Sequence, residues 1–290
     1  MEIDKTNIIL NNDGSIYHLG VFPNEINDII LTVGDPDRVK FISRHFDSIN
    51  LKKQKREFLI HNGLYKGIPI SVISTGIGTG NIDIVINELD IISNINLKTG
   101  KLNTKKKELK IIRLGTSASI QPEIDIGSII LSEFAIGFDN LLNFYSYKNE
   151  FEKSLTIKLM NHLNIDDKNI NPYAFRCDDY LFNYFSKIFS ISGITLTNSG
   201  FYGPQNRNIR IPLRFENLNN KLNSFKFSEK KITNLDMETS GIYGLCKLLG
   251  HKSLSINAIL ANRITGDFVK YPEKTINNMI EQTFNLVESI

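Results

Sequence analysis

Between Leu235 and Arg263 the chain reads LDMETSGIYGLCKLLGHKSLSINAILANR, and this stretch limits the fold more than any other. Two carboxylates, Asp236 and Glu238, stand at its front. Behind them Ile242, Leu245, Cys246 and Leu249 fall at i, i+3, i+4 and i+7, which predicts a helix with one apolar face. Gly250 follows the last apolar position, where a helix end favours a residue that accepts a left-handed conformation. Leu254 to Ala261 then reads as a buried strand ending on Asn262-Arg263. Acidic residues are favoured near a helix N-terminus in any case. Spacing alone therefore fits an ordinary acidic helix start as well as carboxylates that hold a ligand. A chain of 290 residues has room for one large α/β domain or two smaller ones.

A second strand-to-helix passage lies earlier. Ile29–Val33 predicts a strand that runs into Gly34-Asp35-Pro36-Asp37-Arg38, and Val39, Ile42 and Phe46 continue as a helical face. A glycine turn between strand and helix exposes backbone N–H groups, a ready anion site, and Arg38 can add charge-assisted bonds to phosphate. Strands around Phe58–Leu64 and Ile68–Ser74 lead to Gly76-Ile77-Gly78-Thr79-Gly80. The third glycine of a G-x-G-x-x-G dinucleotide fingerprint would fall on Asn81, so a tight turn into a helix over Ile82–Ile92 is the better reading.

The run Ile111-Ile112-Arg113-Leu114-Gly115-Thr116-Ser117-Ala118-Ser119 places an arginine inside an apolar strand. That is costly unless the charge is paired, so Arg113 needs an anionic partner, and a bound phosphate would serve. Thr116 and Ser117 add hydroxyls at the strand's end, where α/β sheets tend to bind ligands. The run lacks the G-x-S-x-G elbow of a serine hydrolase.

Further strands are expected at Ser128–Ala135, Tyr173–Cys177 and Ile191–Thr197, with helices over Phe151–Leu163, Asp179–Phe189 and Glu273–Ile290. The first twenty residues read as a polar surface segment, and Leu97–Leu109 as a lysine-rich surface loop. The residues Asn198-Ser199-Gly200-Phe201-Tyr202-Gly203-Pro204-Gln205-Asn206-Arg207 form a loop through their glycines and proline. Its Phe201 can stack on a flat ring, Gln205 can donate and accept, and Arg207 can hold a carbonyl.

Composition excludes several classes. A hydrophobic content of 41% with 22% charged residues is ordinary for a globular chain, and a net charge of +3 has none of the concentrated basic character of a nucleic-acid binder. Cys177 and Cys246 give no disulfide framework, and the five histidines have no metal-ligand spacing. No apolar run approaches the roughly 18 residues of a membrane span, and the start lacks a leader pattern. Together these lead to the expectation of a cytoplasmic protein without membrane or nucleic-acid partners.

Several motifs occur in one order: Tyr17-His18-Leu19-Gly20, Gly34-Asp35-Pro36-x-Arg38, Arg56-Glu57-Phe58, Arg113-x-Gly115-Thr116-Ser117, Phe201-Tyr202-x-x-Gln205-x-Arg207, Asp236-Met237-Glu238 and Asn262-Arg263. From Tyr17 to about Arg263 the chain resembles the nucleoside phosphorylase family, and within it the uridine-cleaving branch. The resemblance implies an α/β fold with a central mixed β-sheet, partly barrel-like and flanked by helices. It implies one domain over residues 1–290, with 1–16 as an N-terminal extension and 97–109 as a surface insertion.

By the same resemblance, Gly34, Arg38, Arg56, Arg113 and Thr116 bind phosphate, while His18, Thr116, Met237 and Glu238 bind ribose. Ser117, Phe201, Gln205 and Arg207 bind the base, with Arg263 supporting the base loop. Arg113, Gln205, Arg207 and Glu238 form the implied catalytic set. No metal or organic cofactor is implied, phosphate being the co-substrate. His18 and Arg56 are implied to reach a neighbouring subunit's pocket, in a homo-oligomer whose site is shared across a dimer, the family commonly stacking dimers into a hexamer. The implied reaction is phosphorolysis of uridine to uracil and ribose 1-phosphate. Purine-cleaving relatives carry an aspartate at the end of the late strand, where this chain has Arg263. Alternatives are a purine nucleoside phosphorylase or a nucleosidase of the same fold, or a nucleoside-binding protein with decayed catalysis.

Three positions depart from the family pattern. Ala118 stands where glycine usually follows the Thr-Ser pair; a left-handed conformation there would strain an alanine by about 1–2 kcal/mol. Asp236 stands where glutamate is commoner, and Gly203-Pro204 reverses the usual order of those two residues.

Overall fold

Five apolar or β-branched residues in a row form β1 (Ile29–Val33), buried along its whole length. The computed structural model describes residues 5–148, 150–167, 170–288 and 290. The chain falls into two compact units, Met1–Ile112 with Leu245–Lys252, and Arg113–Gly244 with Ser253–Ile290.

In the first unit, α1 (Pro36–Ile42) follows β1 and buries Val39 and Ile42. Then come β2 (Ser48–Lys55), β3 (Phe58–Tyr65) and β4 (Ile68–Ser74). β1 pairs parallel with β4, while β4–β3 and β3–β2 are antiparallel. β2 is a partner the sequence reading missed, because SINLKKQK is polar and mostly exposed, as an edge strand is. α2 (Thr79–Asn94) starts three residues before the expected helix, after a turn in which Gly76 and Gly78 have φ of 67° and 93°. That backbone needs glycine, so the Gly-x-Gly pair serves the turn. The lysine-rich excursion is a short hairpin of β5 (Ile95–Asn96) and β6 (Lys101–Leu102), followed by half-buried Asn103 and exposed residues from Thr104 to Glu108.

The expected surface course of the N-terminal segment needs correction. Ser15, Ile16, Leu19 and Val21 are buried. Apolar side chains at alternate ends of the Tyr17-His18 pair anchor this segment in the core of the first unit. Residues 1–4 of the expected extension lie outside the described residues.

The second unit is built on a closed ring of strands. These are β7 (Lys110–Ser119, in this unit from Arg113), β8 (Ile129–Gly137), β10 (Ile191–Thr197), β12 (Lys230–Asp236) and β13 (Lys252–Asn262). β8, β10 and β12 run parallel, β13 is antiparallel to β8, and β7 neighbours β13 while pairing antiparallel with β12. β9 (Tyr173–Arg176) extends β8, and β11 (Lys226–Phe227) extends β12. Around the ring lie α3 (Glu150–Leu163), α4 (Asp179–Phe185), α5 (Leu218–Ser224), α6 (Thr239–Leu249, in this unit as far as Gly244) and α7 (Pro272–Val287). The fold is α/β with a mixed sheet and a barrel, as the resemblance implied.

Leu155, Leu159 and Leu163 of α3 and Leu218 and Leu222 of α5 pack on Phe134, Ile136, Ile194 and Leu196, which face outward from β8 and β10. Each such side chain gains about 1.5–3 kcal/mol from burial. α5 and β12 were not expected: LNNKLNS carries three asparagines, and KKITNLD opens on two lysines. α4 stops at Phe185, four residues short of the expected end, although Phe189 remains buried. Among the described residues, no helix is long and apolar enough to cross a membrane.

Candidate active site

Arg113 enters the second unit on β7 among Ile111, Ile112 and Leu114, all fully buried. Its side chain is itself buried, and the partner it requires is within the chain. Nη2 bonds the Glu238 carboxylate and lies 3.7 Å from Asp236 Oδ2, while Nη1 donates to Asn257 Oδ1 at 3.1 Å. The anionic partner that the apolar strand demands is thus supplied by two carboxylates that flank the guanidinium. Burial alone would lower the Arg113 pKa, but the charges of Glu238 and Asp236 outweigh it and raise the pKa above its usual value. Gly115 makes room for this arrangement. Residues two apart face the same side of a strand, and a Cβ on Gly115 would lie 1.5 Å from Arg113 Nη1.

Asp236 ends β12 and holds the start of α6. Its Oδ1 accepts from Thr197 Oγ1 at 2.7 Å, and its Oδ2 accepts from Thr239 N at 3.1 Å and from the Thr239 hydroxyl. An aspartate side chain reaching back to a first-turn N–H acts as a helix cap, work that a short acid does well. Met237, half-buried, lies between it and the buried Glu238. Thr116 and Ser117 are half-buried on β7, and Ser117 Oγ accepts from Asn234 Nδ2 at 2.9 Å. Ala118 carries no strain: it lies in β7 paired with Leu235 and is not among the residues with positive φ.

The loop after β10 turns back on itself. Gln205 is 4% exposed, with Nε2 3.4 Å from the Asp236 carbonyl oxygen. Arg207 Nη1 donates to Gln205 Oε1 and to the Phe201 carbonyl, both at 2.6 Å, and its guanidinium lies 3.7 Å from the Phe201 ring centre. Asn206 sits between them in a left-handed conformation with φ 57°, which asparagine tolerates. Arg263, just past β13, donates to the carbonyls of Gln205 at 3.2 Å and Asn206 at 3.4 Å. Burial and the neighbouring Arg263 charge lower the Arg207 pKa to about 10. Two guanidiniums brought close in a half-buried loop favour an anionic or carbonyl-rich ligand.

The remaining predicted residues belong to the first unit. Gly34 precedes α1, and a Cβ on it would come within 3.4 Å of the Gly76 carbonyl oxygen. The turn's donors are partly taken, since Asp35 Oδ1 accepts from Asp37 N at 2.9 Å and the Asp35 carbonyl accepts from Arg38 N at 3.1 Å. Arg38 is half-buried. Arg56 is exposed at the β2–β3 turn with φ 55°, its guanidinium 5.7 Å from the Tyr17 ring centre. The neighbouring Glu57 accepts from Asn81 Nδ2 at 3.1 Å. His18 is fixed by Glu88, whose carboxylate lies 2.6 Å from Nδ1 and accepts from the backbone N–H groups of His18 and Leu19.

Sequence reasoning missed Asn257, Asn234 and Thr197, which hold Arg113, Ser117 and Asp236. The signal was present as polar residues within apolar strand runs, in LSINAIL, ITNLD and ITLTN.

A family profile described as the phosphorylase superfamily matches residues 28–290. A uridine phosphorylase of Thermococcus kodakarensis is 29% identical over 268 residues, covering 90% of this chain and 83% of the relative. A DeoD-type purine nucleoside phosphorylase of Thermoanaerobacter sp. is 25% identical over 278 residues, covering 93% and 99%. A solved nucleoside phosphorylase of Trypanosoma brucei, described as showing uridine phosphorylase activity, superimposes with a TM-score of 0.87 at 26% identity, covering 97% of this chain and 100% of that one.

Proposed function

This chain belongs to the phosphorylase superfamily, and we propose that within it the chain cleaves uridine with inorganic phosphate to uracil and ribose 1-phosphate. The observation that carries the substrate is the cluster of Gln205 and Arg207 on one loop with Arg263, from the end of β13, bonded to that loop's backbone. Uracil presents two carbonyls flanking an N–H. A buried amide that can donate and accept, beside a guanidinium, matches that edge. The ring N–H and amino patterns of purines ask for a carboxylate, and at the end of β13 the chain offers Arg263. The uridine phosphorylase relatives support the same choice, while purine-cleaving relatives of similar identity make it the point to test.

The chemistry follows from the residue roles. A phosphate oxygen attacks the anomeric carbon as the C1′–N1 bond breaks, and the bonding electron pair leaves on the uracil ring, where the carbonyls share it. Arg207, cationic at neutral pH, stabilises that developing charge with Gln205. The sugar becomes oxocarbenium-like, and Glu238 holds its hydroxyls. Arg113 orients Glu238 through their ion pair and adds positive charge for phosphate. Gly34, Arg38 and Thr116 are read as the chain's other phosphate ligands. His18 and Arg56 are read as groups given to a second copy's pocket, so the working unit is a dimer or a larger assembly of dimers. Phosphate serves as co-substrate, without a metal or organic cofactor in the scheme, and the cytoplasm is its expected compartment.

Initial rates on uridine, deoxyuridine, thymidine, inosine and adenosine at one phosphate concentration test the substrate. Uridine should exceed both purine nucleosides in kcat/KM by at least about a hundredfold, as expected when a site's polar groups lack a match. Preference for inosine or adenosine contradicts the reading.

A further inference from the structure

Ser132, Thr195, Asn234 and Asn257 are each 0% exposed. Small barrels ordinarily fill their interior with apolar side chains, and buried polar groups are tolerated only when hydrogen-bonded. These four come one each from β8, β10, β12 and β13, and they join two residues of β7. Arg113 Nη1 donates to Asn257 Oδ1 at 3.1 Å, and Asn257 Nδ2 reaches Ser132 Oγ at 3.0 Å. Ser132 Oγ is 2.6 Å from Thr195 Oγ1, which donates to Asn234 Oδ1 at 2.9 Å. Asn234 Nδ2 then donates to Ser117 Oγ at 2.9 Å. Every strand of the ring takes part, and the chain of bonds begins and ends on β7.

The guanidinium fixes the direction of the first two of these bonds. A guanidinium has only donors, so the oxygen of the Asn257 amide must face Arg113 and its nitrogen must face Ser132. At the other end Thr195 gives its one proton to Asn234 Oδ1, so the 2.6 Å contact between the hydroxyls takes its proton from Ser132. The nitrogen of Asn234 is left for Ser117. Ser117 Oγ therefore receives a hydrogen bond from within the barrel, and its own proton is available to an acceptor on a ligand.

We infer that this ring of side chains sets Ser117 as a hydrogen-bond donor to a carbonyl or hydroxyl oxygen of the bound nucleoside, with Asn257, Ser132, Thr195 and Asn234 as positioning residues. The inference rests on the proposed nucleoside site, in which Ser117 touches substrate and the other four do not. It ties the Arg113–Glu238 pair at one end to the base contact at the other, because a networked set of bonds in a low-dielectric interior loses more than one link when it is cut.

The test is Thr195→Val, which exchanges the middle hydroxyl for a methyl of similar size, compared with Thr195→Ser, Ser117→Ala and the double variant Ser117→Ala/Thr195→Val. Each variant is first checked by circular dichroism and thermal melting, and if Thr195→Val does not fold, Ser132→Ala takes its place in the same cycle. Thr195→Val should lower kcat/KM for uridine about tenfold or more and leave the KM for phosphate within about twofold, while Thr195→Ser restores uridine turnover. In the Ser117→Ala background the same change should cost less than about threefold more, the non-additivity that marks coupled residues. Wild-type turnover by folded Thr195→Val, losses that multiply in the double variant, or a Thr195→Ser variant as poor as Thr195→Val would each overturn the inference. A wild-type protein that cleaves inosine and not uridine overturns the proposed substrate alone, and the cycle is then read on inosine. A wild type that cleaves no nucleoside overturns both.

Discussion

Arg113 and Glu238, 125 residues apart in sequence, form an ion pair in which the two side chains are only 8% and 7% exposed. The acid read as the ribose ligand is thus held before substrate arrives, and the arginine read as a phosphate ligand already has a partner. Fixed charges in a dry site act on the transition state without reorganising, the condition under which electrostatic stabilisation is largest. Breaking such a pair from one side leaves an uncompensated buried charge, commonly at a cost of about 3–5 kcal/mol.

Gly115→Ala should break it without touching either charge. The added Cβ would stand 1.5 Å from Arg113 Nη1 and 2.7 Å from Asn257 Oδ1, so the guanidinium must leave. Stability should fall by about 3–5 kcal/mol, the cost of stranding the two carboxylates. Urea unfolding measures this, and a variant within about 0.5 kcal/mol of wild type would show that strand and arginine yield together.

Gln205→Ala should weaken uridine turnover by about 1–3 kcal/mol of transition-state stabilisation, because the buried amide leaves its partners unsatisfied. Arg207 is less buried, and Arg207→Ala should cost the lower part of that range once solvent screening is allowed for. The loss belongs in kcat/KM for uridine, with the KM for phosphate unchanged. Wild-type kinetics in both variants would remove this loop from the base site.

Both cysteines should be silent in the folded protein. Cys177 and Cys246 are buried, and burial raises the Cys177 pKa well above that of a free thiol. The thiolate is the reactive form, so a raised pKa lowers its fraction at every pH below that value. A thiol reagent at mildly alkaline pH should label neither residue in native protein and both after unfolding. Rapid labelling of Cys177 in the native state would contradict the burial.

Arg56→Ala and Glu238→Ala should each be inactive alone and partly active when mixed. If Arg56 serves the neighbour's pocket, a mixed dimer has one pocket with both lesions and one with neither. Subunit exchange is followed by mass and activity by uracil release. Confirmed exchange without recovered activity would place Arg56 in its own chain's pocket.

The elements rich in apolar residues were legible in the sequence: β1, β4, β10, β13, α3 and α6 lie where the sequence leads one to expect them. The elements missed were those whose signal is polar. β2 is a lysine-bearing edge, β12 opens on lysines, and α5 is rich in asparagine. At the site, the need of Arg113 for an anion was legible from its apolar surroundings. Its partner was not, because Glu238 meets it only when the ring of strands closes. The work of Gly115 was hidden for the same reason, as a missing side chain signals nothing until its neighbour's position is known. Asp236 looked like a shortened family acid and turns out to cap α6 through Thr239.

The central claim is phosphorolysis, and product analysis with and without phosphate tests it most directly. Purified protein incubated with uridine and phosphate should yield uracil and ribose 1-phosphate in equal amounts, resolved by chromatography, with release that saturates in phosphate and stops when phosphate is removed. Uracil released at the same rate without phosphate, with free ribose as its partner product, would contradict the account.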